Sequence, residues 1–238
     1  MKKYYEGHDA VRSPPKYEIL DLGCGTGNHA LELARRGHSM VGIDISRNSL
    51  RSAKKKLART KELKGSVHLF QQDLRQIALN KRFDAVMALF GVLSYIEKKK
   101  ELEQIFRRVR GHLRPGGLFL GEIWQLSGVI PGFKSRNTGT DETRKIEVIR
   151  RAASRTSRMP GIFDIEMDFQ IRDIRKDKIV DEFLEHHYLH AYDLTEFQEL
   201  IETAGFEHIG FFDSDGRKKG LNDINEKTLR AFFISRSA

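Results

Sequence analysis

The sequence predicts an α/β fold built on a mostly parallel sheet, and three observations carry that expectation. An apolar run, Ile19–Leu22, stops abruptly at Gly23, Gly25 and Gly27, and a helical pattern follows at once. Further apolar runs at Met40–Ile43, Val67–Phe70 and Phe83–Phe90 alternate with helical stretches, as parallel strands joined by crossover helices do. Each run ends near a residue able to meet a ligand, at the strand edge where open α/β sheets bind.

Residues 1–18 come first and are polar, with Tyr4 or Tyr5 placed to close over a ligand and Pro14-Pro15 barring a helix that runs into the first strand. The three glycines let the backbone turn sharply, adopt positive φ, and approach a ligand with no Cβ in the way. A helix starting near Thr26 presents free amides at the same spot, which suits a carboxylate or phosphate. The dinucleotide fingerprint Gly-x-Gly-x-x-Gly fails here, because Asn28 stands where its third glycine belongs. Ala30, Leu31, Leu33 and Ala34 give the helix one apolar face, and Gly37 ends it. The second strand finishes on Asp44, an acid able to accept from both hydroxyls of a ribose, and Ser46 caps a helix through about Arg59.

The third strand leads to Asp73, which reads as a nucleoside contact or as a helix cap. Phe83 to Gly91 is nearly continuous in apolar residues, as a buried parallel strand should be. A basic helix over 98–112, a turn at Arg114-Pro115-Gly116-Gly117 and a strand over 118–124 follow. Three β-like runs, 144–155, 162–171 and 179–192, then read as an antiparallel sheet able to roof the carboxyl edge. A helix from Asp193 to Gly205 and strands over 206–212 and 229–234 close the chain, the last two as a hairpin. The expected division is therefore 1–124 with 191–238 as one domain, and 125–190 as an insert.

A chain of 238 residues suits one α/β domain with such an insert. At 39% hydrophobic residues, no apolar run approaches the roughly 20 residues that span a bilayer, and no signal peptide is visible. The single cysteine, Cys24, excludes an internal disulfide and a cysteine-based zinc site, so it reads as a small turn filler and the cytoplasm as the expected compartment. The excess of 42 basic over 33 acidic residues admits an anionic partner. Because the basic residues are scattered without interleaved aromatics, nucleic acid is not favoured. Nothing in the chain decides between a monomer and a homodimer.

Asp21-x-Gly23-x-Gly25-x-Gly27, Asp44, Asp73 and Arg114-Pro115-Gly116-Gly117 fall in one order over residues 17–124. That order resembles the class I S-adenosylmethionine-dependent methyltransferases. The resemblance implies a Rossmann-like seven-stranded sheet, with an antiparallel β subdomain inserted after strand five, and S-adenosyl-L-methionine as cofactor. In such a site Asp21, Gly23, Cys24, Gly25, Gly27 and Asn28 would hold the methionine end. Asp44 and Ile45 would meet the ribose, Asp73 the adenine amino group, and the Leu74 amide the ring, while Leu89, Phe90 and Gly91 complete the lining.

Residues 83–212 are similar to small-molecule N-methyltransferases, notably those acting on amino sugars and more distantly glycine N-methyltransferase. The shared features are Trp124, the three-strand roof, and Tyr188-x-x-x-Tyr192-Asp193-Leu194-Thr195 leading to Ala204-Gly205-Phe206. After the fourth strand Gly91-Val92-Leu93-Ser94-Tyr95 stands in place of Asn-Pro-Pro-Tyr or Asp-Pro-Pro-Tyr, which speaks against an enzyme that methylates nucleobases.

The implied reaction is an in-line methyl transfer to a small-molecule nitrogen or oxygen. Alignment of the reactants and exclusion of water supply most of its acceleration, and a general base helps a protonated acceptor. Acceptor-side candidates are Tyr95, Glu122, Trp124 and the cluster His186, His187, Tyr188, His190 and Tyr192. Strand alternation puts His186, Tyr188, His190 and Tyr192 on one face and His187 on the other. His190, Tyr188 and Trp124 are the expected catalytic residues, and no metal is expected because no further ligand of suitable spacing accompanies the histidines. An RNA or protein methyltransferase using the basic surface, or a cofactor-binding protein without catalysis, are the alternatives.

Overall fold

The computed structural model describes residues 15–129, 134–141, 145–157, 159–213, 218–219 and 229–238. Tyr4 and Tyr5 lie outside the described residues.

The first half alternates as expected: β1 Glu18–Leu22, α1 Asn28–Arg35, β2 Ser39–Asp44, α2 Arg47–Arg59, β3 Ser66–Gln71, β4 Phe83–Ala88, α3 Lys99–Gly111 and β5 Leu113–Trp124. β6 Lys134–Asp141, β7 Ile146–Thr156, β8 Ile162–Asp173 and β9 Lys178–His190 follow, then α4 Leu194–Thr203, β10 Phe206–Phe212, the two-residue β11 Lys218–Lys219 and β12 Arg230–Ser237. One sheet has the order β11-β10-β12-β5-β4-β1-β2-β3, and the other β6-β7-β8-β9. β1 through β5 pair in parallel, while β12 runs antiparallel to both β5 and β10. Strand order reverses beside β1, so the β1–α1 loop and the end of β4 lie at the crevice where such sheets take ligands.

The two faces of the large sheet are covered unequally. Leu102, Ile105, Phe106 and Val109 of α3 and Leu194, Phe197 and Ile201 of α4 pack with Leu20, Val86, Phe119 and Phe233 in the larger core. Phe119 sits among Phe106, Phe206 and Phe233 with ring centroids 5.1 to 5.7 Å apart, within the range of favourable aromatic pairing. On the opposite face Ile19, Ala30, Ala34, Met40 and Met87 bury α1. A third cluster, Val129, Phe163, Ile165, Leu189 and Ala191, joins the inserted sheet to Trp124.

Four boundaries differ from the sequence reading. Helix α1 begins at Asn28 rather than Thr26, since Gly27 at φ 75 is its N-cap. Residues 89–91 leave the fourth strand, because Phe90 and Gly91 take φ of 56 and 68 and turn the chain left-handed. Arg114-Pro115-Gly116-Gly117 lies inside β5 as an irregularity, Phe83 and Ala85 pairing with Leu113 and Leu118, so one extended strand absorbs the turn. The inserted sheet has four strands rather than three. β6, Lys-Ser-Arg-Asn-Thr-Gly-Thr-Asp, has no apolar alternation to betray it, and main-chain pairing with β7 holds it at the edge.

Candidate active site

The three glycines of the β1–α1 loop do three different things. Gly23 has φ 65, and a Cβ there would lie 2.4 Å from Cγ2 of Val92. At Gly27, with φ 75, a Cβ would stand 3.0 Å from the Cβ of Ala53. Gly25, at φ 55, has nothing within 4 Å of that position among the described residues. Gly23 and Gly27 therefore admit close packing by neighbouring elements, and Gly25 alone leaves main chain open for a ligand. The amide of Cys24 donates to Ile43 O at 2.9 Å, which pins the loop to β2. The Cys24 thiol is buried and pushed up to about 12, by desolvation first and then by Asp21 and Asp44; it stays protonated at neutral pH.

Beneath the loop lies Asp21, only 2% exposed, with its Oδ2 atom buried and without a partner among the described residues. Desolvation, helped by the charge of Asp44, pushes its carboxyl up to about 7. A buried carboxylate oxygen without a donor is rare, and it marks a place where a cationic or N–H-bearing ligand would be welcome. Asp44 is engaged on both oxygens: Gly25 N donates to Oδ2 and Ser46 N to Oδ1, each at 2.7 Å. It thus braces the open glycine from the end of β2.

Asp73, just past β3, is held otherwise. Its carboxylate accepts from the Arg75 amide at 2.9 Å and from the Arg75 guanidinium at 2.6 to 3.0 Å, hydrogen bonds that hold its pKa below the usual carboxylate range. It caps the short turn Leu74–Gln76 from the edge where β3 ends. Asp44 and Asp73 still end neighbouring strands, with Gln72 N donating to Asp44 O at 3.1 Å. Ile45 is exposed at this edge. Asn28 is turned toward α2, where Lys56 Nζ donates to its Oδ1 at 2.7 Å.

At the end of β4, Leu89 packs on the α1 side. Phe90 is 72% exposed and stacks on His29 with centroids 5.2 Å apart. Gly91 faces Trp124, whose Nε1 would be 3.2 Å from a Cβ at that position. Glu122 is buried below, 3.6 Å from Arg230; burial raises its pKa, and Arg230 opposes that.

The short turn Val92–Tyr95, of which the sequence singled out only Tyr95 as an acceptor-side candidate, links the glycine loop, Trp124 and β9. Val92 fills the space above Gly23. Ser94 Oγ accepts from Trp124 N at 3.3 Å. The buried Tyr192 hydroxyl reaches Leu93 O at 3.2 Å and Ile96 O at 2.8 Å. Tyr95 Oη meets Nδ1 of His187 at 2.8 Å.

The histidines separate accordingly. His190 is buried, its ring tilted against Tyr192 with centroids 4.3 Å apart and its Nδ1 unpartnered among the described residues, and burial lowers its pKa so that it is neutral at pH 7. Tyr188 is half-exposed, opposite Asp164 in the sheet register, and His186 pairs with Asp164 at 3.0 Å. The side chain that bridges from β9 to Tyr95 is His187, from the face opposite the expected one. Among the described residues no group of three His, Cys, Asp or Glu side chains is placed to hold a metal. Two open grooves, of about 680 and 550 Å3, flank α2; Arg47, Arg51, Lys54 and Lys55 line one, and Lys56 and Arg59 border the other together with Arg35 and Lys61.

A parallel sheet with a glycine-lined opening at its reversal point, braced by an acid on the next strand, defines a Rossmann-like protein that holds a nucleoside cofactor. Residues 19–117 match the methyltransferase domain family. A dTDP-3-amino-3,4,6-trideoxy-alpha-D-glucopyranose N,N-dimethyltransferase of Streptomyces venezuelae is 26% identical over 90% of this chain and 85% of its own. A dTDP-3-amino-3,6-dideoxy-alpha-D-glucopyranose N,N-dimethyltransferase of Streptomyces fradiae is 25% identical over 88% and 77%. Among solved structures, DesVI of Streptomyces venezuelae superposes with a TM-score of 0.77 at 23% identity, over 95% of this chain and 86% of that one. Residues 19–117 thus carry a methyltransferase domain, the chain shares its Rossmann-like fold with methyltransferase structures, and the cofactor is S-adenosylmethionine, as the sequence resemblance implied.

Proposed function

We propose that this chain methylates the nitrogen of a small amine-bearing acceptor of the amino-sugar kind, held between the carboxyl edge of the large sheet and the inserted sheet. The observation that carries the reading is the pairing of open main chain at Gly25 with the buried oxygen of Asp21 that has no partner among the described residues. A positively charged ligand with an amino group fits both, and the names of the relatives supply the acceptor class.

In this reading the opening of the Gly23–Gly27 loop takes the methionine end, with Asp21 below it and Cys24 and Asn28 as structural members of the loop. Asp44 and Ile45 border the ribose, and Asp73, Leu74, Leu89, Phe90 and Gly91 border the adenine and the sulfur end. When bound, S-adenosylmethionine supplies an electrophilic methyl group. The protein's share is to orient the acceptor lone pair and keep water out, which accounts for most of the acceleration such reactions need. Trp124, beside Gly91, walls the acceptor, and Tyr188 and His190 of β9 are assigned to its far side. Residues 125–190 act as the roof, and a single buried cysteine suits the reducing cytoplasm.

Release of labelled methyl from S-adenosylmethionine to a panel of amines, alcohols and RNA tests the reading. Turnover with amines supports it. Transfer to RNA alone, with a steep salt dependence, would move the acceptor site to the basic face of α2. His190→Ala should lower turnover with little change in cofactor affinity.

A further inference from the structure

Beyond the cofactor crevice, one cluster of titratable side chains joins the two sheets and is used by nothing described so far. Tyr95 follows β4 on the turn that also touches Gly23 and Trp124. Its hydroxyl lies 2.8 Å from His187 Nδ1, and the other ring nitrogen, Nε2, lies 3.2 Å from Glu185 Oε2. The chemistry of the partners assigns the direction of each bond. An ionised carboxylate only accepts, so Nε2 of a neutral His187 carries the hydrogen; Nδ1 is then the acceptor, and Tyr95 must donate.

We propose that Tyr95, His187 and Glu185 form a relay that removes a proton from the acceptor nitrogen before it attacks; this rests on the amine reading above. An amine arriving as R–NH3+ has no lone pair to offer. As its N–H bond breaks, the proton joins the Tyr95 oxygen, and the original Tyr95 proton passes to His187 Nδ1. The acceptor is left as R–NH2, Tyr95 stays a neutral phenol, and His187 becomes an imidazolium whose Nε2–H is held by Glu185. Glu185 is half-exposed and delivers the proton to solvent.

The surroundings suit this assignment. Burial, then the charge of Glu185, raises the Tyr95 pKa, so the phenol is a conduit and never rests as a phenolate. Other charged groups stand on the neighbouring elements. Asp164 and Glu166 on β8 are taken by His186 and Arg155, and Glu97 and Lys99 lie toward His190. Tyr95 would be the catalytic residue, and His187 and Glu185 the residues that position and charge it.

The test is the pH profile of kcat/KM for the full chain, with a dTDP-linked 3-amino-deoxysugar as the acceptor. Tyr95→Phe and His187→Gln should each lose about 100-fold at pH 7, the lower end of what general base catalysis supplies. Both should return to within about 3-fold of the unaltered chain once the pH exceeds the amine's own pKa, while cofactor affinity by calorimetry is unmoved. Glutamine retains an oxygen to accept from Tyr95 but cannot take its proton, so recovery of pH 7 activity by His187→Gln would make the contact a mere latch. A deficit equal at all pH values would likewise overturn the relay while leaving the acceptor class intact. Absence of turnover with this or any amine would instead defeat the amine reading, and the relay with it. Nitrogen-15 spectra of the cofactor-free chain give an independent check: a hydrogen on Nδ1 of neutral His187 would refute the assignment.

Discussion

The large sheet and the inserted sheet differ in how they use their apolar residues. Strands β1 and β4 are covered on both faces, so that Leu20, Leu22, Val86 and Ala88 are fully buried. On β9, at the margin of the small sheet, Ile179, Val180, Phe183 and Leu184 remain 41% to 56% exposed. Burial of a Leu or Phe side chain is worth about 1.5–3 kcal/mol, so the first sheet supplies the stability and rigidity that fix a cofactor site. The second sheet is anchored at its base by Phe163, Ile165 and Leu189, while the outer part of β9 contributes little to stability and is free to vary, which suits a surface that discriminates between acceptors.

The comparison can be tested from its strongest element downward. Phe119→Ala, at the centre of the aromatic core, should cost about 3–5 kcal/mol in chemical denaturation; a loss below 1 kcal/mol would mean that this core is not the anchor. Asp21 predicts a pH effect of up to about 4 kcal/mol. Its carboxyl holds a proton up to about pH 7 in the folded chain and releases it near 3.8 when unfolded. The unfolded state then binds fewer protons across that window, so stability falls as pH rises from about 4 to 7. Asp21→Asn should flatten this fall in the cofactor-free chain, and a slope unchanged by the substitution would locate the titration elsewhere.

Gly23→Ala combines a clash with Val92 and a left-handed backbone, and should cost about 3 kcal/mol. Gly25→Ala meets only the backbone penalty, about 1–2 kcal/mol, yet should lose the larger share of cofactor affinity, because its Cβ enters the open space. Equal affinity losses in the two variants would erase the distinction between packing and ligand glycines. Smallest of all, Leu184→Ser should change stability by less than about 0.5 kcal/mol, and a larger loss would show that β9 carries weight in the fold.

Much of the cofactor side was legible because it is written locally. Gly23, Gly25 and Gly27 sit two apart at the end of one apolar run, and Asp44 ends the next run on the neighbouring strand. Asp73 was visible as an acid past a strand, but only its bond pattern with Arg75 tells that it caps a turn. The acceptor side was not legible in the same way. Tyr95 and His187 are 92 residues apart, and neither carries a spacing that points to the other. Both appeared among the candidates, yet alternation alone favoured His190, which the structure buries against Tyr192.

By itself the sequence determined the alternation of strands and helices, the opening at the glycines and the basic balance of the chain, because periodicity and backbone freedom act over a few residues. Which glycine is open, which acid lacks a partner and which histidine reaches Tyr95 were decided only when distant strands came together, because burial and hydrogen bonding depend on neighbours that the chain brings from far away.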